Sequence, residues 1–120
     1  MSKKTLVLGA SLKPHRYSNM AINRLVNYNH EVVAIGLREG IVADVPIVKE
    51  KPNLKDVDTI TLYMNPRRQV ALYDYILDLT PKRIIFNPGT ENMELIKLAQ
   101  AKGIKTEIAC TLVMLSVGNY

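Results

Sequence analysis

The chain has 120 residues, 48% of them hydrophobic and 22% charged, which is enough to bury the core of one domain over residues 1–120 and too few for two. Its 16 lysines and arginines against 11 aspartates and glutamates leave a net charge of +5, which suits an anionic partner but falls short of a dedicated nucleic-acid binder. One cysteine excludes an internal disulfide and favours a reducing, cytoplasmic setting, and two histidines argue against a zinc site. No apolar stretch approaches the ~20 residues of a membrane helix.

The first half of the chain predicts two strands around one helix. Apolar runs predict strands from Thr5 to Leu8 and from Glu31 to Ile35, and Ser18 is expected to cap the helix between them. The segment from Gly36 to Pro52 reads as a loop with room for one short strand at 46–48. The buried stripe of the helix is predicted to be Ala21, Ile22, Leu25 and Val26.

The next segment predicts a strand followed by a capped helix. Val57 to Tyr63 is the apolar strand, and Asn65 followed by Pro66 is typical of an N-cap and a first helical position. Pro81 should end this helix. Its inward residues are predicted to be Val70, Tyr73, Ile76 and Leu77.

The last third predicts two more strands with a helix between them. Arg83 to Phe86 and Lys105 to Ala109 are the strands, and the turn at 87–90 should end in a threonine cap. Gly103 is expected to end the helix in the left-handed conformation. The apolar segment 112–117 either covers the core or packs against a second copy. The helix is predicted to bury Leu95, Ile96, Leu98 and Ala99.

Strands that alternate with helices predict a single doubly wound α/β domain, with a mainly parallel sheet of five or six strands and helices on both faces. Ligands of such sheets bind beyond the carboxyl ends of the strands, where the strand order reverses. Function should therefore be sought in the four loops that leave those ends.

The first of these loops combines small residues with cations. Gly9 allows a tight turn, Ala10 and Ser11 let a ligand approach the main chain, and the helix start at Ser18 and Asn19 offers amides for a phosphate. Cations are unfavourable at a helix start unless an anion neutralises them, although solvated loop residues remain the alternative. The cations are Lys13, His15 and Arg16.

The loops at 36–40 and 63–68 limit the kind of nucleotide that the site is expected to bind. An NAD site needs an acidic residue after the second strand, where this chain has Arg38, and the first loop lacks the GxGxxG pattern. A cation there favours a phosphorylated ribose. Arg67 and Arg68 again place cations in the first turn of a helix. Tyr63 is expected either to stack on a base or to complete the core.

The order of these pieces resembles the CoA-binding domain family, small Rossmann-like proteins related to the nucleotide-binding domain of the succinyl-CoA synthetase alpha subunit. The resemblance covers nearly the whole chain. The pieces that carry it are GASLKP, the Ser18-Asn19 helix start, Gly36-Leu37-Arg38, TLYMNP, and FNPGTEN before AKGIK.

The resemblance implies coenzyme A or an acyl-CoA lying across the carboxyl edge of the sheet. Its phosphates would rest on the first turn and helix start. The adenosine end would meet Gly36, Leu37 and Arg38, with Arg38 facing the ribose 3′-phosphate, and would be flanked by Tyr63 to Pro66. The turn at 87–90 would lie near the pantetheine. The residues implied to bind, called here the predicted contact set, are Gly9, Ala10, Ser11, Pro14, Arg16, Tyr17, Ser18, Asn19, Gly36, Leu37, Arg38, Tyr63, Met64, Asn65, Pro66, Asn87, Pro88, Gly89 and Thr90.

No catalytic constellation is recognisable, so we expect a binding module that takes a small-molecule nucleotide, with no nucleic-acid or membrane partner and a homodimer through segment 112–117 left open. Family members often flank a cysteine with arginine and proline, whereas Ala109 and Thr111 flank Cys110 here. Cys110 is therefore either an inert buried thiol or a group facing the thiol of the ligand. The alternative functions are a minimal NADP-linked oxidoreductase and another nucleotide-binding regulatory module.

Overall fold

A computed structural model describes residues 2–120 as one seven-stranded sheet with helices on both faces. The strands are β1 Thr5–Ala10, β2 Val32–Gly36, β3 Gly40–Val42, β4 Val45–Val48, β5 Thr59–Leu62, β6 Arg83–Phe86 and β7 Lys105–Ile108. The helices are α1 Tyr17–Asn27, α2 Pro66–Gln69, α3 Tyr73–Asp78, α4 Met93–Ala101 and α5 Thr111–Val117. In this part of the chain, no helix combines the length and apolar character that a membrane crossing requires.

The strand order β3-β4-β2-β1-β5-β6-β7 confirms the doubly wound α/β prediction. All neighbouring strands are parallel except β3 and β4. From β1 the chain builds outward to β2 and β4, then returns to β5 and continues to β6 and β7. The order therefore reverses between β1 and β5, which is the place where such sheets bind ligands.

A β-hairpin at one edge raises the strand number to seven, above the predicted five or six. Strands β3 and β4 pair antiparallel and are joined by Ala43 and Asp44, whose φ angles are 50° and 64°. Two left-handed residues form a type I′ turn, which the sequence did not reveal because the usual Asn-Gly or Asp-Gly pair is absent. The loop prediction was therefore wrong for residues 40–45, whereas the short strand at 46–48 is part of β4.

This turn makes a testable contribution to stability. Asp44→Gly removes the cost of a left-handed non-glycine residue, and we expect it to raise the free energy of unfolding by about 1 kcal/mol in urea denaturation. Glu50→Gly, at an exposed position outside the left-handed region, is the control and should lower stability slightly. A decrease in stability for Asp44→Gly would contradict the turn assignment.

Each face of the sheet has its own apolar core. The core beneath α3 and α4 contains Leu6, Leu8, Ile60, Leu62, Ile84, Phe86, Ile76, Leu95, Ile96 and Ala99. The core beneath α1 and α5 contains Val7, Ala34, Ile47, Ile22, Leu25 and Leu115. Segment 112–117 belongs to α5 and covers the second core, while its use in a homodimer stays a prediction.

Two residues predicted to face inward are exposed. Val70 is 55% exposed because the helix after Asn65 is interrupted by a 3₁₀ turn at 70–72, and the side chain of Gln69 is buried instead. Leu98 is 40% exposed because the buried stripe of α4 is narrow and position 98 lies outside it. Gly103 ends α4 with φ 76°, as predicted.

Candidate functional site

A cleft of about 540 Å³ lies at the carboxyl edge of the sheet, between the loops that follow β2, β1, β5 and β6. These are the four loops that the sequence singled out. The side of the cleft after β1 and β2 is lined by Gly9, Ala10, Ser11, Leu12, Lys13, Arg16, Tyr17, Ser18, Leu37 and Arg38. The opposite side is lined by Tyr63, Met64, Asn65, Arg68, Pro88, Gly89 and Thr90.

Five members of the predicted contact set do not line the cleft: Pro14, Asn19, Gly36, Pro66 and Asn87. The side chains of Asn19 and Asn87 are buried and bonded within the protein. Asn19 Nδ2 donates to the carbonyl oxygen of Ser11 at 2.9 Å and so holds the first loop. Pro14 is exposed, and Pro66 is the first residue of α2.

Two glycines are required by close contacts between strand backbones. Gly9 has φ 93°, and a Cβ there would lie 2.7 Å from the carbonyl oxygen of Tyr63. A Cβ at Gly36 would meet the carbonyl oxygen of Ala10. The approach of β2 to β1 is by itself sufficient to require a glycine at position 36, and its contact with a ligand stays a prediction.

Helix α1 begins two residues earlier than predicted, which leaves its start open. Its N-cap is Arg16, so the prediction that Ser18 caps the helix was wrong, and Arg16 makes no capping hydrogen bond through its side chain. Its first turn carries no acidic residue. Because Tyr17 and Ser18 line the cleft, the positive end of this helix is presented to the cleft without a capping side chain.

Four cations line the cleft: Lys13, Arg16, Arg38 and Arg68. The ion pairs within residues 2–120 involve other cations, so none of these four pairs with a carboxylate there. His15 is exposed and lies outside the lining. Leu12, Lys13 and Arg68 line the cleft but are absent from the predicted contact set, although the cationic first loop and the unusual placement of Arg68 in a first helical turn were signals for the two cations.

A buried glutamine joins the loops after β5 and β6. The Nε2 of Gln69 donates to the carbonyl oxygens of Met64 and Thr90, both at 2.9 Å. The sequence did not predict a role for Gln69, because an amide side chain on a helix is ordinarily exposed. These two bonds link the loops that form the far wall of the cleft.

Two helices begin on the far wall of the cleft, and the predicted N-cap was correct for one and wrong for the other. Asn65 Oδ1 accepts from the Arg68 N–H at 3.0 Å, which confirms Asn65 as an N-cap. Thr90 is not the cap of α4, because its hydroxyl donates to the carbonyl oxygen of Asn87 at 2.8 Å and closes the turn. Asn92 is the cap and accepts from the Leu95 N–H at 3.2 Å.

Tyr63 lines the cleft whereas Cys110 does not, and the two residues have different surroundings. The Tyr63 ring packs against the core beneath α1 and α5, so it completes the core, and its hydroxyl is buried without a hydrogen-bond partner in residues 2–120. Burial raises the pKa of the Tyr63 hydroxyl above its ordinary value. Cys110 is half-buried at the start of α5 and does not line the cleft.

The chemistry of the lining is that of a polyanion site. Only cationic and neutral side chains line it, with an open helix start between the cations. Such a set supplies charge-assisted hydrogen bonds, which are the strongest kind available for phosphate groups.

Solved structures with the same fold include one of high sequence similarity. A crystal structure of an uncharacterized protein is 48% identical, covers 100% of this chain and 99% of its own, and superposes with a TM-score of 0.97. Prb, a protein redesigned for binding, is 18% identical with a TM-score of 0.86 and covers 99% of this chain and 86% of its own. Cell-free ID.343 from Thermus thermophilus is 19% identical with a TM-score of 0.85 and covers 99% and 91%. At these lower identities the likeness shows the fold alone.

A search of curated proteins found no significant match. The family model described as the CoA binding domain matches residues 3–116, nearly the whole chain. The chain therefore belongs to the CoA-binding domain family.

Proposed function

We propose that the protein binds coenzyme A or an acyl-CoA in the cleft and performs no chemistry on it. The observation that carries this proposal is the convergence of Lys13, Arg16, Arg38 and Arg68, without acidic partners, on one cleft at the point where the strand order reverses. A ligand with several phosphates neutralises these cations and satisfies the uncapped start of α1.

The loops suggest an order for the parts of the ligand. The diphosphate would lie over β1, on the turn at Gly9 and the start of α1, near Lys13 and Arg16. The adenosine 3′-phosphate would lie over β2 at Arg38, and the pantetheine would extend over β5 and β6. Three strand spacings of ~4.8 Å give this path a span of ~14 Å.

The charges are sufficient for useful affinity. A hydrogen bond to a charged group contributes about 1.5–3 kcal/mol. Three or four such bonds, less the cost of ordering the side chains, reach the binding free energy of about −8 kcal/mol that corresponds to micromolar affinity.

Arg38→Glu tests the placement of the 3′-phosphate. We expect the dissociation constant for CoA to rise more than tenfold, because a carboxylate would then face a phosphate, and that for 3′-dephospho-CoA to rise less than threefold. Isothermal titration calorimetry measures both. Arg24→Glu, an exposed charge change on α1 outside the cleft, is the control and should affect the two ligands little. Equal losses for the two ligands would remove the phosphate role from Arg38.

Cofactor titration discriminates the NADP-linked oxidoreductase alternative. Thermal unfolding with equal concentrations of CoA and NADP should show the larger rise in Tm with CoA, since only a bound ligand stabilises the folded state. A rise with NADP and none with CoA would refute the proposed function in favour of the oxidoreductase. Native mass spectrometry of the purified protein would identify a ligand that co-purifies.

A further inference from the structure

We infer that Gly40, on the edge hairpin, positions the loop after β1 for its ligand through the side chain of Leu12. This inference rests on the proposed function and extends the binding machinery beyond the residues that line the cleft. Leu12 lines the cleft, whereas Gly40 is the first residue of β3 and lies outside the lining. Gly40 is therefore a positioning residue, which acts on the ligand through another side chain.

The side chain of Leu12 lies directly against the backbone of Gly40. A Cβ at position 40 would lie 2.8 Å from Cδ1 of Leu12 and 3.1 Å from its Cγ, too close for carbon atoms that are not bonded. Outside the adjoining residues, the three atoms nearest to that position all belong to Leu12. The φ angle of Gly40 is not positive, so it does not call for a glycine. The contact with Leu12 is thus the feature that a side chain at position 40 would disturb.

The loop after β1 has another anchor, at helix α1. Asn19 is buried, and its Nδ2 donates to the carbonyl oxygen of Ser11 at 2.9 Å. The hydroxyl of Ser11 accepts from the Lys13 N–H at 3.1 Å. Leu12 stands between these two residues, so its contact with the hairpin fixes the same short stretch of chain. Since Lys13 is one of the four cations that line the cleft, both anchors determine where this cation meets a phosphate.

Gly40→Ala should change the cleft more than the stability of the fold. The backbone of β3 is held by its pairing with β4, so Leu12 and its loop must give way to the added methyl group. Leu12 is 38% exposed and can move at little cost, and alanine also lowers the entropy of the unfolded chain. The displaced loop moves Lys13 from its place. We expect the dissociation constant for CoA to rise about tenfold, which corresponds to the loss of one charge-assisted hydrogen bond.

A double-mutant cycle tests whether the effect passes through Leu12. Isothermal titration calorimetry with CoA and urea denaturation are carried out on Gly40→Ala, Leu12→Ala and the double variant. In the Leu12→Ala background, Gly40→Ala should change the dissociation constant less than about twofold, because the side chain that transmits the effect is gone. Ile41→Ala, an exposed neighbour on the hairpin outside the cleft, is the control and should leave CoA affinity unchanged.

Each other outcome has a definite meaning. Unchanged CoA affinity in Gly40→Ala, or a tenfold effect that persists in the Leu12→Ala background, would overturn the inference and leave CoA binding intact. A large loss of urea stability together with the weaker binding would assign Gly40 a purely structural role and overturn the inference in the same way. Failure of the unaltered protein to bind CoA would instead overturn the proposed function.

Discussion

Gly9→Ala is expected to lower the free energy of unfolding by about 3–5 kcal/mol, as measured by urea denaturation. The alanine would have to adopt φ 93° in place of glycine, which costs of the order of 1–3 kcal/mol. Its Cβ would also lie 2.7 Å from the carbonyl oxygen of Tyr63, a backbone atom that moves only if β5 shifts relative to β1. Such overpacking adds a further 1–3 kcal/mol.

Gly89→Ala is the matched control because it separates the two costs. Gly89 has a similar φ of 89° but has no atom within 4 Å of the position of a Cβ. Gly89→Ala should therefore lower the free energy of unfolding by the conformational cost alone, about 1–2 kcal/mol. Equal losses of stability in the two variants would refute the close approach of Gly9 to Tyr63. Since the same approach shapes the floor of the cleft, Gly9→Ala should also weaken CoA binding in any fraction that remains folded.

The sequence predicted correctly which four loops meet at one edge of the sheet, because a topological rule connects them. Parallel strands that alternate with helices place their carboxyl ends on one edge, so the residues after β1, β2, β5 and β6 must lie near one another whatever the details of packing. This is why Ser11, Arg38 and Pro88, distant in the chain, line one cleft. Local signals of fixed geometry were less reliable: the Asn65 cap and Gly103 were predicted correctly, whereas the Ser18 and Thr90 caps were wrong.

The details that escaped the sequence depend on contacts between distant segments. Gln69 is buried because its amide donates to two carbonyl oxygens from different loops. The sequence of its own helix does not indicate these contacts. Position 36 has no room for a side chain because the backbone of β1 lies against it, and the sequence of β2 alone does not indicate this contact. The hairpin at 40–48 uses Ala43 and Asp44 in left-handed conformations that neither residue prefers. In each case tertiary packing overrides the local preference.

Asn87→Ala is expected to cost about 4 kcal/mol of stability, although the residue is small and polar. Asn87 is buried at the end of β6, and its Nδ2 donates to Thr61 Oγ1 at 2.7 Å and to the carbonyl oxygen of Leu62 at 2.8 Å. Its Oδ1 accepts from the Thr111 N–H at 2.9 Å. Alanine leaves this buried N–H without its partner and opens a small cavity, and each unsatisfied buried group costs about 1–3 kcal/mol. Urea denaturation measures the loss.

Asn65→Ala provides the comparison, since it removes an exposed capping bond to the Arg68 N–H and should cost only about 1 kcal/mol. Because Asn87 joins β5, β6 and the start of α5, hydrogen exchange should locate the damage: the Thr111 and Met114 amides are expected to lose protection in Asn87→Ala and keep it in Asn65→Ala. Similar stability losses in the two variants, or unchanged exchange at α5, would contradict this role. The absence of Asn87 from the lining of the cleft has a physical reason: both its amide nitrogen and its amide oxygen are engaged in holding the sheet edge together.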